Sequence, residues 1–406
     1  MRVEIRQSED HVSRLAHLAD AVRRLKADGG LRQPVLDWLD DCERTSPLLT
    51  FDMERIERRM QWLSETAASL SIAPLFAVKS CPSPEILRAA HKYLKGFDVS
   101  NEVEYASLPE ELDGRLVSVT SPALTADPDR LSARGNATVI VLDSLWQLDR
   151  YIRQRATIPY LLRIQGSDLL RHREPPDPAF YEHARFGLTL REVLEVFSQL
   201  RIRRNPPAGF HVHHGSEINR TSTYRAIIDA LGALSSDISF EPRCVNLGGG
   251  WHSIQDGELG TVLEHARLVF PEPCAILLEP GRWYAEEAGF ALGTIVNEVR
   301  AGDKVNYVVN LSKRCHLNWS QPRLVYPLAA GLRRMREVRF FGPSCDEYDL
   351  IGTFLLPYRD DFFAESGLTP GQRVVFSNVS TYSAAWNVSF NGIPAADVHW
   401  WRSTPT

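Results

Sequence analysis

PLFAVKSCPSPEILRAAHKYLKGFDVSNEVE, residues 74–104, is the stretch from which the fold is read. Its first six residues form a short apolar run that ends in a lysine, Lys79, and GFDV (96–99) is a second such run. Between them, SPEILRAAHKYLK repeats apolar residues at three- and four-residue spacing, which marks one face of a helix. Ser83 stands at the N-cap position and Pro84 at the first helical position, where its missing N–H is no loss; Gly96 follows just past the end. The stretch therefore predicts strand, helix, strand.

The same rhythm continues outward. Further apolar runs are RLVSVT (115–120), TVIVLD (138–143), PYLLRI (159–164), GFHVHH (209–214), CVNLGG (244–249) and CAILLEP (274–280), which makes eight in all. Helix-like segments such as TSTYRAIIDALGAL lie between them. Eight strands alternating with helices suit a (β/α)8 TIM barrel, whereas a doubly wound open sheet usually has fewer strands. After residue 290 the pattern changes to strand-like segments joined by turns: DKVNYVVNL, EVRFFG, QRVVFSNV and AWNVSFNG. The expected class is α/β, a TIM barrel plus a β-rich C-terminal domain. The expected boundaries are an N-terminal segment at 1–48 that packs with the β domain, the barrel at 49–288, and the β-rich domain at 289–406. The first segment carries an amphipathic helix-like piece, DHVSRLAHLADAVRRLKADGG.

Bulk properties narrow the class. The 406 residues are 44% hydrophobic and 24% charged, which fits a globular chain with a filled core. Lys+Arg 46 against Asp+Glu 51 gives a net charge of −5 without a basic tract, so nucleic acid is not the expected partner. The sequence begins without an apolar signal region and has no run of about 18 apolar residues, so neither a membrane nor export is expected. Six cysteines are scattered with no C-x-x-C pair, which suits neither a disulfide framework nor a zinc knuckle; a reducing cytoplasm is the simplest home.

Nearly every run ends in a polar or glycine-rich group. These are Lys79; Asp98 with Glu104; Ser121; Asp143; Arg163; His213, Gly215 and Ser216; Gly248, Gly249 and Gly250; and Glu279-Pro-Gly281-Arg282. In a barrel such positions converge on the C-terminal face, where active sites are built. A lysine at a strand end is ordinarily a solvated charge, but Lys79 sits in an apolar run, and a desolvated lysine suits Schiff-base chemistry. Glycines after strand seven either form a plain turn or expose backbone N–H groups to a phosphate. The His211-Val-His213-His214 cluster lacks the spaced acidic partner of common zinc motifs, so no metal is expected. Strand alternation points His211 and His213 the same way, into the barrel mouth.

The ordered set FAVKS (76–80), GFDVSNEVE (96–104), HHGS (213–216), LGGG (247–250), EPGR (279–282), GPSCDEYD (342–349) and FNG (390–392) resembles the fold-type III pyridoxal-phosphate decarboxylases. This group includes the ornithine, diaminopimelate and carboxynorspermidine decarboxylases and shares the alanine racemase-like barrel. The resemblance implies pyridoxal 5'-phosphate as cofactor, a small amino-acid substrate and a homodimer with shared active sites. Lys79 would carry the cofactor as a Schiff base. His213 would stack on the ring, and Glu279 would hold the ring nitrogen protonated. Gly248, Gly249, Gly250, Ser216, Gly281 and Arg282 would hold the phosphate together with Tyr382. Asp98, Glu104 and Arg163 would support Lys79 and the ring. Cys345 would return a proton to Cα from across the dimer interface, and Asp346 would touch the distal end of the substrate.

Some positions depart from the family pattern. Ornithine decarboxylases carry an acid after a tyrosine upstream of GPxCD, where this chain has Tyr326-Pro327; Arg323 nearby is a candidate to meet a substrate carboxylate instead. The tyrosine motif reads STYS, and Arg185 replaces the lysine of a K-F-G run at Phe186-Gly187. These departures point to a specialised substrate, such as a conjugated amino acid in siderophore or other secondary metabolism. Two rivals remain. One is a racemase, whose chemistry does not call for GPSCD. The other is a non-catalytic cofactor-binding or regulatory homologue, a kind of protein that commonly loses cofactor contacts retained here.

Overall fold

The computed structural model describes residues 2–5, 7, 34–44, 47–123, 136–154, 157–171, 185–199, 202, 204–215, 220–252, 254, 256–301, 304–327, 334–358 and 368–403. The amphipathic piece at 10–30 and Ser216 lie outside them. The chain divides into two units, Glu57–Tyr284 and Met1–Ile56 with Ala285–Thr406.

The first unit is a closed parallel barrel of eight strands. They are β3 (Ile72–Ala77), β4 (Gly96–Val99), β5 (Leu116–Thr120), β6 (Ala137–Leu142), β7 (Tyr160–Arg163), β8 (Gly209–His211), β9 (Cys244–Asn246) and β10 (Ala275–Leu278). Each pairs with the next, and β10 returns to β3 with Ile276 opposite Ile72. The runs are continuously apolar rather than alternating because both faces of the barrel wall are covered. Leu75, Val139, Val141, Leu161, Ala208 and Leu277 form one packed core cluster. The helix at Pro84–Tyr93 begins as its sequence dictates, with the Ser83 hydroxyl accepting from the Ile86 N–H and Pro84 in the first turn.

Six strands stop earlier than their apolar runs, and three of these position the site. The first ends at Ala77, and Val78–Ser80 forms a 3-10 turn in which Ser80 Oγ donates to the Ala77 carbonyl at 2.7 Å. Strands β8 and β9 are three residues each, and at Gly248 a φ of 65° turns the chain out of extended geometry. Lys79 and His213 therefore sit on turns beyond the strands.

The second unit is a sheet of β1 (Arg2–Ile5), β2 (Leu48–Asp52), β11 (Gly289–Ala301), β12 (Lys304–Val309), β13 (Arg323–Pro327), β14 (Arg334–Phe341), β15 (Leu350–Tyr358), β16 (Arg373–Ser377) and β17 (Asp397–Trp401). Strand β2 lies between β11, antiparallel to it, and β17, parallel to it. Residues 49–52 thus belong to the sheet, and the divide falls after Ile56 rather than at 48. The cause is pairing, because all five residues of β2 are buried between partners much later in the sequence. The helix Pro34–Asp41 lays Val35, Leu36 and Leu39 on Leu48, Phe290, Leu292 and Trp401. Tyr307, Phe340, Phe354 and Phe376 form an aromatic core elsewhere in the sheet.

Candidate active site

Glu279 follows β10, and its carboxylate is buried inside the barrel unit. Oε1 accepts from Ser118 Oγ at 2.7 Å and from Asn246 Nδ2 at 2.5 Å; Oε2 lies 3.3 Å from His211 Nε2. Ser118 projects from β5, Asn246 from β9 and His211 from β8. Burial alone would raise the carboxyl pKa, but His211, Lys79 and the Asn246 amide outweigh it and bring Glu279 down to about 2. The group is an anion at neutral pH. His211 is pushed down by burial, against the pull of Glu279, and its buried Nδ1 has no hydrogen-bond partner in the structure.

Lys79 lies on the 3-10 turn after β3, with Nζ 3.4 Å from Asp98 Oδ2. Its side chain is 45% exposed, while that of Asp98 is fully buried at the end of β4. Burial and the negative charge of Glu279 push Asp98 up to about 8, against the pull of Lys79. Asp98 Oδ1 has no hydrogen-bond partner in the structure. The turn is stitched to the loop after β10, with Ala77 N–H donating to the Pro280 carbonyl at 3.3 Å. A Cβ on Gly281 would stand 2.7 Å from Ser80 Cβ, so only glycine allows this approach.

The glycine run after β9 is tightly enclosed. A Cβ on Gly248 would meet the Val212 carbonyl oxygen at 2.6 Å, and one on Gly250 would meet that of Gly215 at 2.2 Å. The Gly248 N–H donates to Asn246 Oδ1 and the Gly249 N–H to His213 Nδ1 at 3.1 Å. That second bond fixes the tautomer, so His213 carries its proton on Nε2. Burial, with Lys79 and Arg163 adding to it, lowers His213 to about 3 and keeps the ring neutral. Tyr224 and Trp251 stack at 4.0 Å behind the run, and Trp251 Nε1 donates to the Gly248 carbonyl. Two of the three glycine amides are thus engaged within the protein, and the Gly250 amide has no backbone partner among the described residues.

Arg163 is buried at the end of β7. It pairs with Asp143 at 2.9 Å and lies over the Phe186 ring, which Arg185 flanks as well. Glu104 accepts from the Ser100 N–H at 2.8 Å and adds to the negative field on Asp98. Arg282 opens the short 3-10 turn Arg282–Ala285. Sequence reading singled out none of Ser118, Asn246 or the Glu279-facing role of His211. A small polar residue inside an otherwise apolar strand was the available signal for the first two.

In the sheet unit, Cys345 is exposed on the loop between β14 and β15. Asp349 anchors that loop. Its buried carboxylate accepts from Ser312 Oγ, the Lys313 and Arg314 N–H groups, and both the N–H and Oγ of Ser344. Arg314 Nε donates to Asp346 Oδ2 at 2.7 Å, and the Tyr348 N–H donates to Asp346 Oδ1 at 2.9 Å. Tyr382 begins a short helix and packs 5.8 Å from Trp319. Arg323 is paired with Glu4 at 3.1 Å and lies 3.8 Å from Glu287.

Within the barrel unit, a lysine beside a buried acid, an ionised buried glutamate, a tautomer-fixed histidine and a glycine run gather at the strand ends. Comparison with known families is direct on this point: residues 53–286 match the model described as pyridoxal-dependent decarboxylase, pyridoxal binding domain. The chain belongs to the pyridoxal-dependent decarboxylases. Its cofactor is pyridoxal 5'-phosphate and its class that of a carboxy-lyase. The donor set fits that group, for the unpartnered Asp98 Oδ1, the Gly250 amide and the anionic Glu279 are what an aldehyde-bearing, phosphorylated pyridine needs. A probable ornithine decarboxylase of Dictyostelium discoideum is 19% identical over 85% of this chain and 77% of its own length. Antizyme inhibitor 2 of Xenopus laevis is 21% identical over 81% of this decarboxylase-family chain and 75% of its own. The arginine decarboxylase of Paramecium bursaria Chlorella virus shares the fold with a TM-score of 0.71, at 18% identity over 94% of this chain and all of that one. No helix among the described residues is long and apolar enough to cross a membrane.

Proposed function

We propose that the protein removes the α-carboxylate of an amino acid or amino-acid conjugate as CO2, acting as a cytoplasmic homodimer in siderophore or secondary metabolism. The observation that carries this reading is the Glu279 carboxylate, held by three barrel side chains and kept ionised with the help of Lys79 in the same unit. Bound there, the cofactor supplies an electron-poor ring that takes up the electron pair left when CO2 departs. Glu279 holds a proton on the ring nitrogen. Lys79 would hold the cofactor through Nζ, with Asp98 placed to take or return a proton there. Asp98 is suited to that exchange because its pKa stands near neutrality.

His213, with Nδ1 committed to Gly249, would pack against the ring without competing for protons. Gly248, Gly249, Gly250, Ser216, Gly281 and Arg282 would hold the phosphate, with Tyr382 as a further candidate. Glu104 and Arg163 brace the site, the first through Asp98 and the second through Asp143. Cys345 would return a proton to Cα from across a dimer interface, and Asp346 would face the distal end of the substrate. Arg323, whose Nη1 donates to Glu4 at 3.1 Å, is given no role in this reading.

The relative named for inhibition rather than catalysis favours a second reading, a cofactor-binding regulator. One assay on purified protein separates the two: the visible absorbance of bound cofactor, followed by CO2 release from a panel of amino acids and conjugates. Cofactor absorbance that Lys79→Ala removes, together with CO2 from one class of substrate, supports decarboxylation. Bound cofactor with no CO2 from any of them overturns it in favour of the regulator.

A further inference from the structure

We infer that Arg314 selects a substrate whose distal group is anionic, a carboxylate rather than an ammonium. The inference rests on the decarboxylase reading and names the substrate class of that same site.

The distal acid is not a free anion in this chain. Both oxygens of Asp346 are taken, Oδ2 by Arg314 Nε and Oδ1 by the Tyr348 N–H. An ammonium arriving there meets a carboxylate already neutralised and a guanidinium that repels it. Arg314, in contrast, spends only Nε, and its two terminal amino groups carry no hydrogen bond to any described residue. The side chain is 45% exposed and lies 5.9 Å from the exposed Tyr348 ring. A guanidinium with its terminal edge open presents parallel N–H donors that match a carboxylate two-to-two.

Stability alone does not account for the pair. An exposed ion pair of this kind contributes only about 0–1 kcal/mol. Its placement is nevertheless fixed on both sides, because the buried Asp349 carboxylate receives the N–H groups of Lys313 and Arg314 as well as Ser344 beside Cys345. Gly342 is required for that arrangement, since a Cβ there would stand 2.2 Å from Asp349 Oδ2. One carboxylate thus holds Arg314 and Cys345 in a common frame.

The other cations of the segment are committed. Lys313 Nζ donates to the Leu317 and Ser320 carbonyls at 2.8 and 2.5 Å, and Arg323 is held by Glu4. Arg314 is the cation that Asp346 and Asp349 tie to the loop carrying Cys345.

The test uses cofactor-loaded enzyme and a matched series built on lysine, ornithine and 2,3-diaminopropionate, each with a free, an N-acetylated or an N-succinylated side-chain amine. Two quantities are measured, CO2 release and the apparent Kd from the change in cofactor absorbance on titration. The succinylated members are expected to bind more tightly than the free amines by about 10-fold or more, the scale of one charge-assisted hydrogen-bonded contact. Arg314→Gln is expected to erase that preference chiefly through Kd and KM, and Arg314→Lys to restore part of it. Tighter binding of the free amines overturns the inference, as does an equal effect of Arg314→Gln on all three tails or no absorbance change with any member. Absence of CO2 from every member defeats the decarboxylase reading instead, and the titration still decides the role of Arg314.

Discussion

The surroundings of Glu279 and those of Asp346 are opposites. Both are carboxylates with every oxygen engaged, but Glu279 is buried inside the barrel, whereas Asp346 lies at the surface beside a guanidinium. In the interior, three donors from three separate strands hold one charge where water cannot compete, and the group stays ionised far below neutral pH. On the exposed loop, two hydrogen bonds orient a charge that solvent already supports. The first arrangement suits chemistry common to a whole family; the second can be rewritten by one surface substitution. On the reading proposed above, such a division would let specificity change without disturbing the cofactor's electronics.

The comparison can be broken at several points. Lys79→Ala is expected to lower kcat by at least about 10⁴-fold, the upper range for removing a group that handles protons and covalent attachment; retention of wild-type kcat would sink the assignment. Glu279→Gln keeps the hydrogen-bonding shape and removes the charge. A fall in kcat of about 10²–10³-fold is expected, on the scale of a lost electrostatic stabiliser, and normal cofactor loading with unchanged kcat would show that the buried anion is dispensable.

Cys345→Ala tests the exposed side. It should leave bound cofactor unchanged in the absorbance spectrum while diverting part of the product, read by mass spectrometry after turnover; an unchanged product ratio excludes Cys345 as proton donor. Asp349→Asn should give a milder form of the same diversion, because it loosens the loop that carries Cys345 without touching the barrel.

The smallest effect concerns Asp98 and pH. Its folded pKa of about 8 lies above the ordinary value of 3.8, so folding takes up a proton between the two. The Asp98 contribution to stability is therefore intact below about pH 4, falls as pH rises, and levels off above about 8. The apo form of Asp98→Asn should gain Tm relative to wild type on moving from pH 5 to pH 8, by a few degrees for a domain of this size. A pH-independent difference would mean that Asp98 is ionised in the fold.

Much of the barrel was legible because its strands are short apolar runs ended by polar residues, and the helix after Lys79 carries its own cap signals at Ser83 and Pro84. The boundary of the sheet unit was not, since LLTFD at 48–52 reads as one more barrel-like run and only its pairing with β11 and β17 assigns it. In the candidate site, Lys79, His213 and Glu279 stood out as unusual residues at strand ends. Ser118 and Asn246 were hidden because a small polar side chain inside a strand gives no hint of what it faces across the barrel. Arg314 was hidden for another reason: its importance lies in which carboxylates it and Arg323 meet, and those partners are set by tertiary contacts.

The position of β2 also bears on how the polypeptide is made. Strand β2 leaves the ribosome before any barrel strand, yet the edges it pairs with belong to β11 and β17, which emerge only after the barrel is complete. During that interval its apolar residues have no sheet to join. A nascent chain of this topology must keep an aggregation-prone strand in waiting while the barrel is synthesised, and its yield in the cell will depend on what shelters that strand meanwhile.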